Sequence, residues 1–426
     1  MAENDIYNSK GKYETFIKNL DNLITIPEKD SHRKYYCKNK VNLNYYKILI
    51  KKFEAKDLSY VRRCRLLYSM NIVTCATNKD LVKCNRNDVD EILTFMHSNY
   101  HARKSKMDFI VDLKHIWKLL FPEKDEKGRI DDILVPYVVR HISNKIQKAK
   151  ETLKLDRFTF EEFENIVNYF GNDPKMQCYL TLAIESLARP QELCYLKLKN
   201  IELNDNYAKI WITEHGKTGV GFLQCIESFP YLAQWLNAHP FKNDLESYLF
   251  VKYDKNNPKA QLTPKNINER IRTALKVLNI NKPITCYSLK RNGVTIRRLR
   301  GESDLEIQHT ARWTSTKQLK TYDMSQQDDS FKLALIRKGL ITPSEKERQQ
   351  LNGLTRLCLF CKHINGFNDT ICSNCKRPLD REKIKLLEQQ ENKNMDTIRT
   401  AIQLLVKNLN LKEISIEDKE KLKEFI

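Results

Sequence analysis

The 426-residue chain contains no apolar run of about 18 residues, so its sequence offers no helix able to cross a bilayer. Its opening residues, MAENDIYNSKGKYE, lack the apolar core of a secretory signal, and the expected location is the cytoplasm. Internal repeats are absent, which argues against a solenoid or propeller. Acidic residues are in deficit, with 54 Asp and Glu against 74 Lys and Arg and a formal net charge of +20. That surplus exceeds what solubility requires and points to a polyanionic partner, most simply nucleic acid, and so to association with the nucleoid. A disulfide framework is missing too. Eight cysteines are scattered singly (Cys37, Cys64, Cys75, Cys84, Cys178, Cys194, Cys225, Cys286), and the other four form two C-x-x-C pairs. This is the pattern of reduced thiols plus one metal site.

What is present divides into segments. The length suggests two or three domains, and the hydrophobic fraction of 41% is enough to build real cores. Residues 1–40 are polar and basic without a clear period. From about 41 to 120 apolar residues recur at helical spacing. Asn87 is placed to cap a helix carrying Val89, Ile92, Leu93 and Met96, and Phe109, Ile110, Leu113, Ile116 and Leu120 form a second stripe. A small helical bundle is expected. Arg62, Arg63, Lys104 and Lys106 lie between its apolar positions, either as a DNA-contacting face or as a solvated one. FPEKDEKGRIDD (121–132) breaks the pattern, and SNKIQKAKETLKLD (143–156) reads as a basic linker closing a first domain over 1–150.

A second domain, over 155–345, opens with Thr159 and Glu162 as a capping box and Phe158 with Phe163 as its hydrophobic staple. Gly171 stops that helix and Asp173-Pro174 opens the next. Residues 201–226 alternate and turn as a β-hairpin does. Helices are expected near 230–238 and 264–278, with Ser288 and Ser303 as caps of two more. The predicted class is mainly α (α+β).

Three stretches of this domain carry candidate chemistry. In LARPQEL (187–193) Arg189 precedes a proline suited to the first turn of a helix, and Glu192 lies on nearly the same face, able to orient the guanidinium. In HGKTG (215–219) Lys217 sits at a hairpin tip between glycines. From 286 to 323, CYSLKRNGVTIRRLRGESDLEIQHTARWTSTKQLKTYD carries Lys290, Arg291, Arg297, Arg298 and Arg300 on one basic helix, then Trp313 and Tyr322. Arg297 and Arg298 are candidates for phosphate contact.

The order Arg-x-x-Glu, hairpin lysine, basic helix, tryptophan, tyrosine resembles the catalytic domain of the tyrosine recombinases, the integrase family, over roughly 158–330. LARPQEL looks like the family's first arginine box, with Leu187 where glycine is usual, and TARWTSTKQLKTYD looks like its closing box. FPYLAQWLNAHP (229–240) and the cysteine-bearing tail are similar to archaeal integrases. The middle box departs from the pattern His-x-x-Arg. Register puts Tyr287 at the histidine, Lys290 at the arginine and Thr295 at a following threonine, with Arg291 one residue late as the alternative cation. The resemblance implies that Tyr322 attacks a DNA phosphodiester and becomes joined to the 3′ phosphate. Arg189 and Lys290 or Arg291 would stabilise the charge on the phosphoryl oxygens, with Trp313 as an N–H donor, His309 in support and Lys217 protonating the departing 5′ oxygen. Neither ATP nor a catalytic metal is implied. Double-stranded DNA with specific sites, a homotetramer on paired sites and a helical (SAM-like) core-binding domain over 1–150 are. A DNA-binding protein with a decayed site and a type IB topoisomerase-like enzyme stand as alternatives.

Cys358, Cys361, Cys372 and Cys375 form a zinc-ribbon signature within 350–380, suited to structural Zn²⁺. Beyond it, in 381–426, Ile398, Ala401, Ile402, Leu405 and Leu409 make an apolar stripe that packs on a neighbouring protomer or on the chain's own domain.

Overall fold

Periodic apolar positions in the first third of the chain form helices, as their spacing predicts. The computed structural model describes residues 5, 7–28, 34–125, 127–131, 133–143, 155–212, 221–254, 256–343, 353, 355–361, 363–366, 369–379 and 381–408. The linker stretch 144–154, the hairpin tip 213–220 and the last residues from 409 lie outside that set. By packing the chain divides into two units, Met1–Thr152 and Leu153–Ile426.

The first unit is a bundle of α1 (Ser9–Lys18), α2 (Leu43–Ala55), α3 (Tyr60–Ala76), α4 (Arg86–Asn99), α5 (Arg103–Leu120) and the short α6 (Tyr137–Arg140). Tyr46, Phe53, Leu66, Met70, Ile92, Phe109, Ile116 and Trp117 fill its core. Two expectations need correction here. Helix α1 lies in the segment read as lacking a period; it is held by buried Tyr13, over which the Arg63 guanidinium stacks at 5.3 Å. The cap of α4 is Asn85, in a reciprocal box with Asp88, so Asn87 falls inside the first turn. Arg63 is buried and donates to the Leu58 carbonyl at 2.6 Å, which makes it part of the core. Buried Asp112 accepts a two-pronged pair from Arg65, at 2.7 Å on each oxygen, and a further contact from Arg62 at 3.0 Å.

In the second unit α7 (Phe160–Tyr169) starts at the expected Thr159–Glu162 box, with Phe158 and Phe163 stacked at 5.4 Å. Helix α8 (Pro174–Ser186), capped by Asp173, is buried along its whole length and forms the axis of the domain. It ends at Leu187, which adopts a left-handed φ of 51°. After α9 (Pro190–Cys194) come β1 (Ile201–Leu203), β2 (Ala208–Ile212) and β3 (Gly221–Cys225), an antiparallel sheet in the order β1-β2-β3 rather than a single hairpin. Ala208, Ile210 and Ile212 turn inward, and Ile210 pairs with Leu223.

Then follow α10 (Phe229–Ala238), α11 (Pro264–Val277), α12 (Cys286–Arg300), α13 (Asp304–Thr310), α14 (Leu319–Tyr322) and α15 (Gln327–Arg337). Helix α12 lies tightly against α8 at Gly293, where a Cβ would collide with the Ile184 carbonyl. The cap of α12 is Thr285; Ser288 is the third residue of its first turn and returns the bond to the Thr285 amide at 3.0 Å. Ser303 caps α13 as expected. The tail holds a two-stranded ribbon of β4 (Thr355–Leu357) and β5 (Ile364–Gly366), then the long α16 (Arg381–Asn408). Leu386, Met395, Ile398 and Leu404 of α16 are exposed, and the side chains of Ile402, Leu405 and Leu409 lie outside the described residues. The fold is mainly α with small sheets.

Candidate active site

The turn after α8 places the first arginine. Left-handed Leu187 reverses the chain, and Pro190 then starts α9 with Arg189 as its cap residue. Buried Glu192, three residues on, accepts the Arg189 amide at 2.7 Å and its Nη1 at 3.2 Å. The guanidinium is thereby fixed at the helix start.

The second cation comes from α12. Buried Asn292 accepts the Phe158 amide at 3.0 Å and donates to the Asp156 carbonyl at 3.0 Å, which ties residues 156–158 to the helix. Asp156 then pairs with Arg291. Lys290, about 100° around the helix, points elsewhere. It is 2% exposed, and its Nζ has no hydrogen-bond partner among the described residues. Nζ lies 5.5 Å from the centroids of both the Trp313 and Tyr322 rings. Burial pushes its pKa down to about 7; Glu192 opposes this, while Arg189 and Arg312 add to it. Burial also lowers Arg291, against the pull of the Tyr322 phenol.

The closing segment supplies the aromatic pair. Trp313 is buried, its Nε1 lacks a partner among the described residues, and its ring lies 5.2 Å from that of Tyr322 at a 32° tilt. Tyr322 ends α14 half-buried on a small cluster of Leu187, Val294, Ile307, Ala311, Trp313 and Leu319. The chain just past it is anchored from two sides. Thr295 Oγ1 accepts the Met324 amide at 2.9 Å and donates to the Arg291 carbonyl at 2.9 Å. Arg157 pairs with Asp329 at 2.7 Å and donates to the Met324 carbonyl at 3.3 Å.

One member of the cluster was not singled out in the sequence. Arg312 adopts φ 54°, the left-handed region, at a cost of about 1 kcal/mol for a residue with a Cβ. Its guanidinium turns inward and donates Nη2 to Glu192 Oε2 at 2.7 Å. Glu192 therefore holds two guanidinia. The Arg312 stem lies on Gly221, the first residue of β3 and the root of the hairpin; a Cβ there would sit 3.0 Å from Arg312 Cδ. An arginine next to Trp313 was the signal available, but the backbone turn that brings it inward has no mark in the sequence.

The structure thus gathers Arg189, Glu192, Lys290, Trp313 and Tyr322, with Arg291 alongside on Asp156. Lys217 lies outside the described residues. Tyr287 is 42% exposed on α12 rather than enclosed with Lys290. His309 is exposed on α13 and joins the site only through its carbonyl, which accepts the Arg312 amide at 2.9 Å, so the expected supporting side chain is not in the cluster. Arg297, expected to reach phosphate, turns inward to Glu302 at 2.6 Å and the Glu185 carbonyl at 2.7 Å, because α12 buries that face on α8. Arg298 stays at the surface beside Asp304. In the first unit Lys104 is exposed and pairs with Asp108 at 3.0 Å, one turn on, and Lys106 is half-buried.

A sequence model described as the phage integrase family matches residues 156–328, a span that contains every residue of this cluster. Over that span the sequence is similar to the phage integrase family. The fold of the chain is similar to that of a Tn1549 transposon integrase in complex with transposon right-end DNA, with a TM-score of 0.51 and 14% identity over 69% of this chain and 99% of that one. A lambda integrase dimer bound to a core site gives a TM-score of 0.50 and 13% identity over 66% of this chain and 94% of that one. No curated protein matches the chain. In this domain, three cations surround one carboxylate beside a tyrosine, an arrangement that attracts an anion and can stabilise added negative charge on it.

The ribbon forms a second, separate site. The sulfurs of Cys358, Cys361, Cys372 and Cys375 all lie within 4.8 Å of one another. The Cys358–Cys375 and Cys361–Cys372 separations are 3.5 and 3.6 Å. A tetrahedral ion with sulfur ligands at about 2.3 Å requires sulfurs about 3.8 Å apart, so the four thiols fit Zn²⁺. Fully buried Asn365 steadies the loop, donating to Cys372 Sγ at 3.6 Å and accepting from the Ser373 amide at 2.9 Å.

Proposed function

We propose that the chain is a site-specific DNA recombinase that cleaves and rejoins DNA through a 3′-phosphotyrosine at Tyr322. The observation that carries this reading is the set of buried donors without partners, Lys290 Nζ and Trp313 Nε1, beside the Tyr322 ring and next to the Arg189–Glu192 pair. Buried donors normally find acceptors, and a group of them beside a tyrosine fits a phosphodiester as the missing acceptor.

In this reading the scissile phosphate sits between Arg189 and Lys290. The Tyr322 hydroxyl gives up its proton to solvent, and its oxygen forms a bond to phosphorus as the bond to the 5′ oxygen breaks. Lys217, in the sequence between β2 and β3, gives that oxygen its proton. Arg189, Lys290 and the Trp313 N–H hold the charge on the non-bridging oxygens, each contributing a factor on the order of 10² or more in rate. Trp313 acts as a donor only, since indole has no accepting nitrogen. The phosphotyrosine keeps the energy of the bond it replaced, so a 5′ hydroxyl from a second DNA end can reverse the step without ATP. Four protomers on two paired sites would exchange strands in this way, with Lys104 and Lys106 of the helical unit meeting backbone phosphates. The four ribbon cysteines would hold a structural Zn²⁺ that fixes the ribbon's fold and takes no part in the chemistry.

The test starts from a library of nicked duplexes with a randomised core, from which the wild type traps its own preferred sequence as a covalent adduct. Two labelled duplexes of the selected sequence should then yield joined recombinant strands. Adducts with relaxation but no joining would point instead to nick-and-reseal chemistry, and specific binding without adducts to a DNA-binding protein with a decayed site.

A further inference from the structure

We propose that Arg312 is a catalytic residue: its guanidinium binds the scissile phosphate, with Glu192 holding it and Arg189 at a fixed spacing. This rests on the recombinase reading above.

The geometry carries the argument. The Arg312 side chain is 8% exposed, so it is not a solvated surface cation. Only Nη2 is used, on Glu192; Nε and Nη1 are buried without a partner. Lys290 Nζ, on which the Arg312 charge acts, and Trp313 Nε1, on the next residue, are also buried donors without a partner among the described residues. Four unsatisfied N–H or N⁺–H groups with no acceptor among them are costly unless an anion completes the site. The backbone also points to function, since Arg312 occupies a left-handed conformation that glycine would adopt without strain. Gly221 leaves the room its stem needs. A residue kept for structure alone would be better served by glycine here, which removes both the strain and the unpaired guanidinium.

The chemical consequence concerns the neighbouring lysine. An ammonium such as Lys290 offers a point charge, whereas phosphate is best gripped by a planar fork. With Arg291 taken up by Asp156, Arg312 is the side chain on the Lys290 side of the cluster that can supply such a fork. Glu192 fixes its plane through one N–H of Nη2, which leaves the second N–H of Nη2 to form a fork with Nε or with Nη1 on two phosphoryl oxygens.

The experiment compares wild type, Arg312→Gly and Arg312→Lys in single-turnover adduct formation on the selected nicked duplex. Each is assayed with an ordinary scissile phosphodiester and with a methylphosphonate in its place, which removes the non-bridging charge. We expect Arg312→Gly to melt at or above the wild-type temperature. It should lose about 100-fold in rate on the phosphodiester but less than about tenfold on the methylphosphonate, with Arg312→Lys in between. A phosphodiester rate within about threefold of wild type overturns the proposal, and so does an equal loss on both substrates, which is what a merely structural arginine gives. Should the glycine variant fail to fold, the same substrate comparison with Arg312→Lys decides. A wild type that forms no adduct overturns the recombinase reading itself, and this assignment with it.

Discussion

Arg291 pairs with Asp156, while its neighbour Lys290 turns into the cluster around Glu192. That division favours Lys290 of the two adjacent cations whose order in the sequence left both open. Lys290→Ala should slow adduct formation by a factor on the order of 10² or more while leaving the fold intact. Arg291→Ala should slow it by less than about tenfold but cost about 1–3 kcal/mol of stability, because it strands the largely buried Asp156 carboxylate. Single-turnover rates and urea unfolding of the two variants check this; the reverse ranking would show that Arg291 is the phosphate ligand.

The depressed pKa of Lys290 makes both stability and DNA binding depend on pH. In the unfolded chain its ordinary value is 10.5, and burial lowers it to about 7 in the fold. Between those values the unfolded state binds more protons, so this residue's contribution to stability should rise with pH across that window. Bound phosphate should favour the charged form and restore the proton. Calorimetric titration with DNA at pH 8, in buffers of different ionisation enthalpy, should show uptake of about one proton, lost in Lys290→Met. Binding heats that do not change with buffer would contradict it.

Thr295 anchors the backbone just after Tyr322 through the Met324 amide. Thr295→Val keeps the shape and removes the acceptor, leaving a buried amide unpaired at a cost of about 1–3 kcal/mol. Amide exchange at residues 323–325 should accelerate, and adduct formation should fall by about tenfold as the phenol loses its position. Unchanged exchange there would mean the anchor is dispensable.

The ribbon should contain one zinc per chain, released by a strong chelator and measured with a colorimetric indicator. Cys358→Ser and Cys372→Ser should each abolish it, since both replace a buried thiol of the four-sulfur set. Zinc retained in either variant would reject the four-cysteine site.

Much of this was legible in the sequence, and the remainder has physical causes. The Thr159–Glu162 box, the Asp173-Pro174 start and the two C-x-x-C pairs are local chemistry, and each is found as read. Asn87 and Ser288 were misplaced as caps because several side chains within one turn can cap, and only the backbone geometry selects among them. Helix α1 was missed because its buried face is little more than Tyr13 and Ser9. Arg297 looked like a DNA contact on a basic helix, but the packing of α12 on α8, unseen in the sequence, turned it inward. Arg312 was passed over because its place in the cluster depends on a left-handed φ that its residue type does not signal.

The most direct measurement is the identity of the residue that becomes attached to DNA. Wild-type protein incubated with the selected nicked duplex, digested and analysed by mass spectrometry, should yield one nucleotide-modified peptide, carrying its modification on Tyr322, and Tyr322→Phe should yield none. A modification on any other residue, or an adduct that survives Tyr322→Phe, would contradict the assignment.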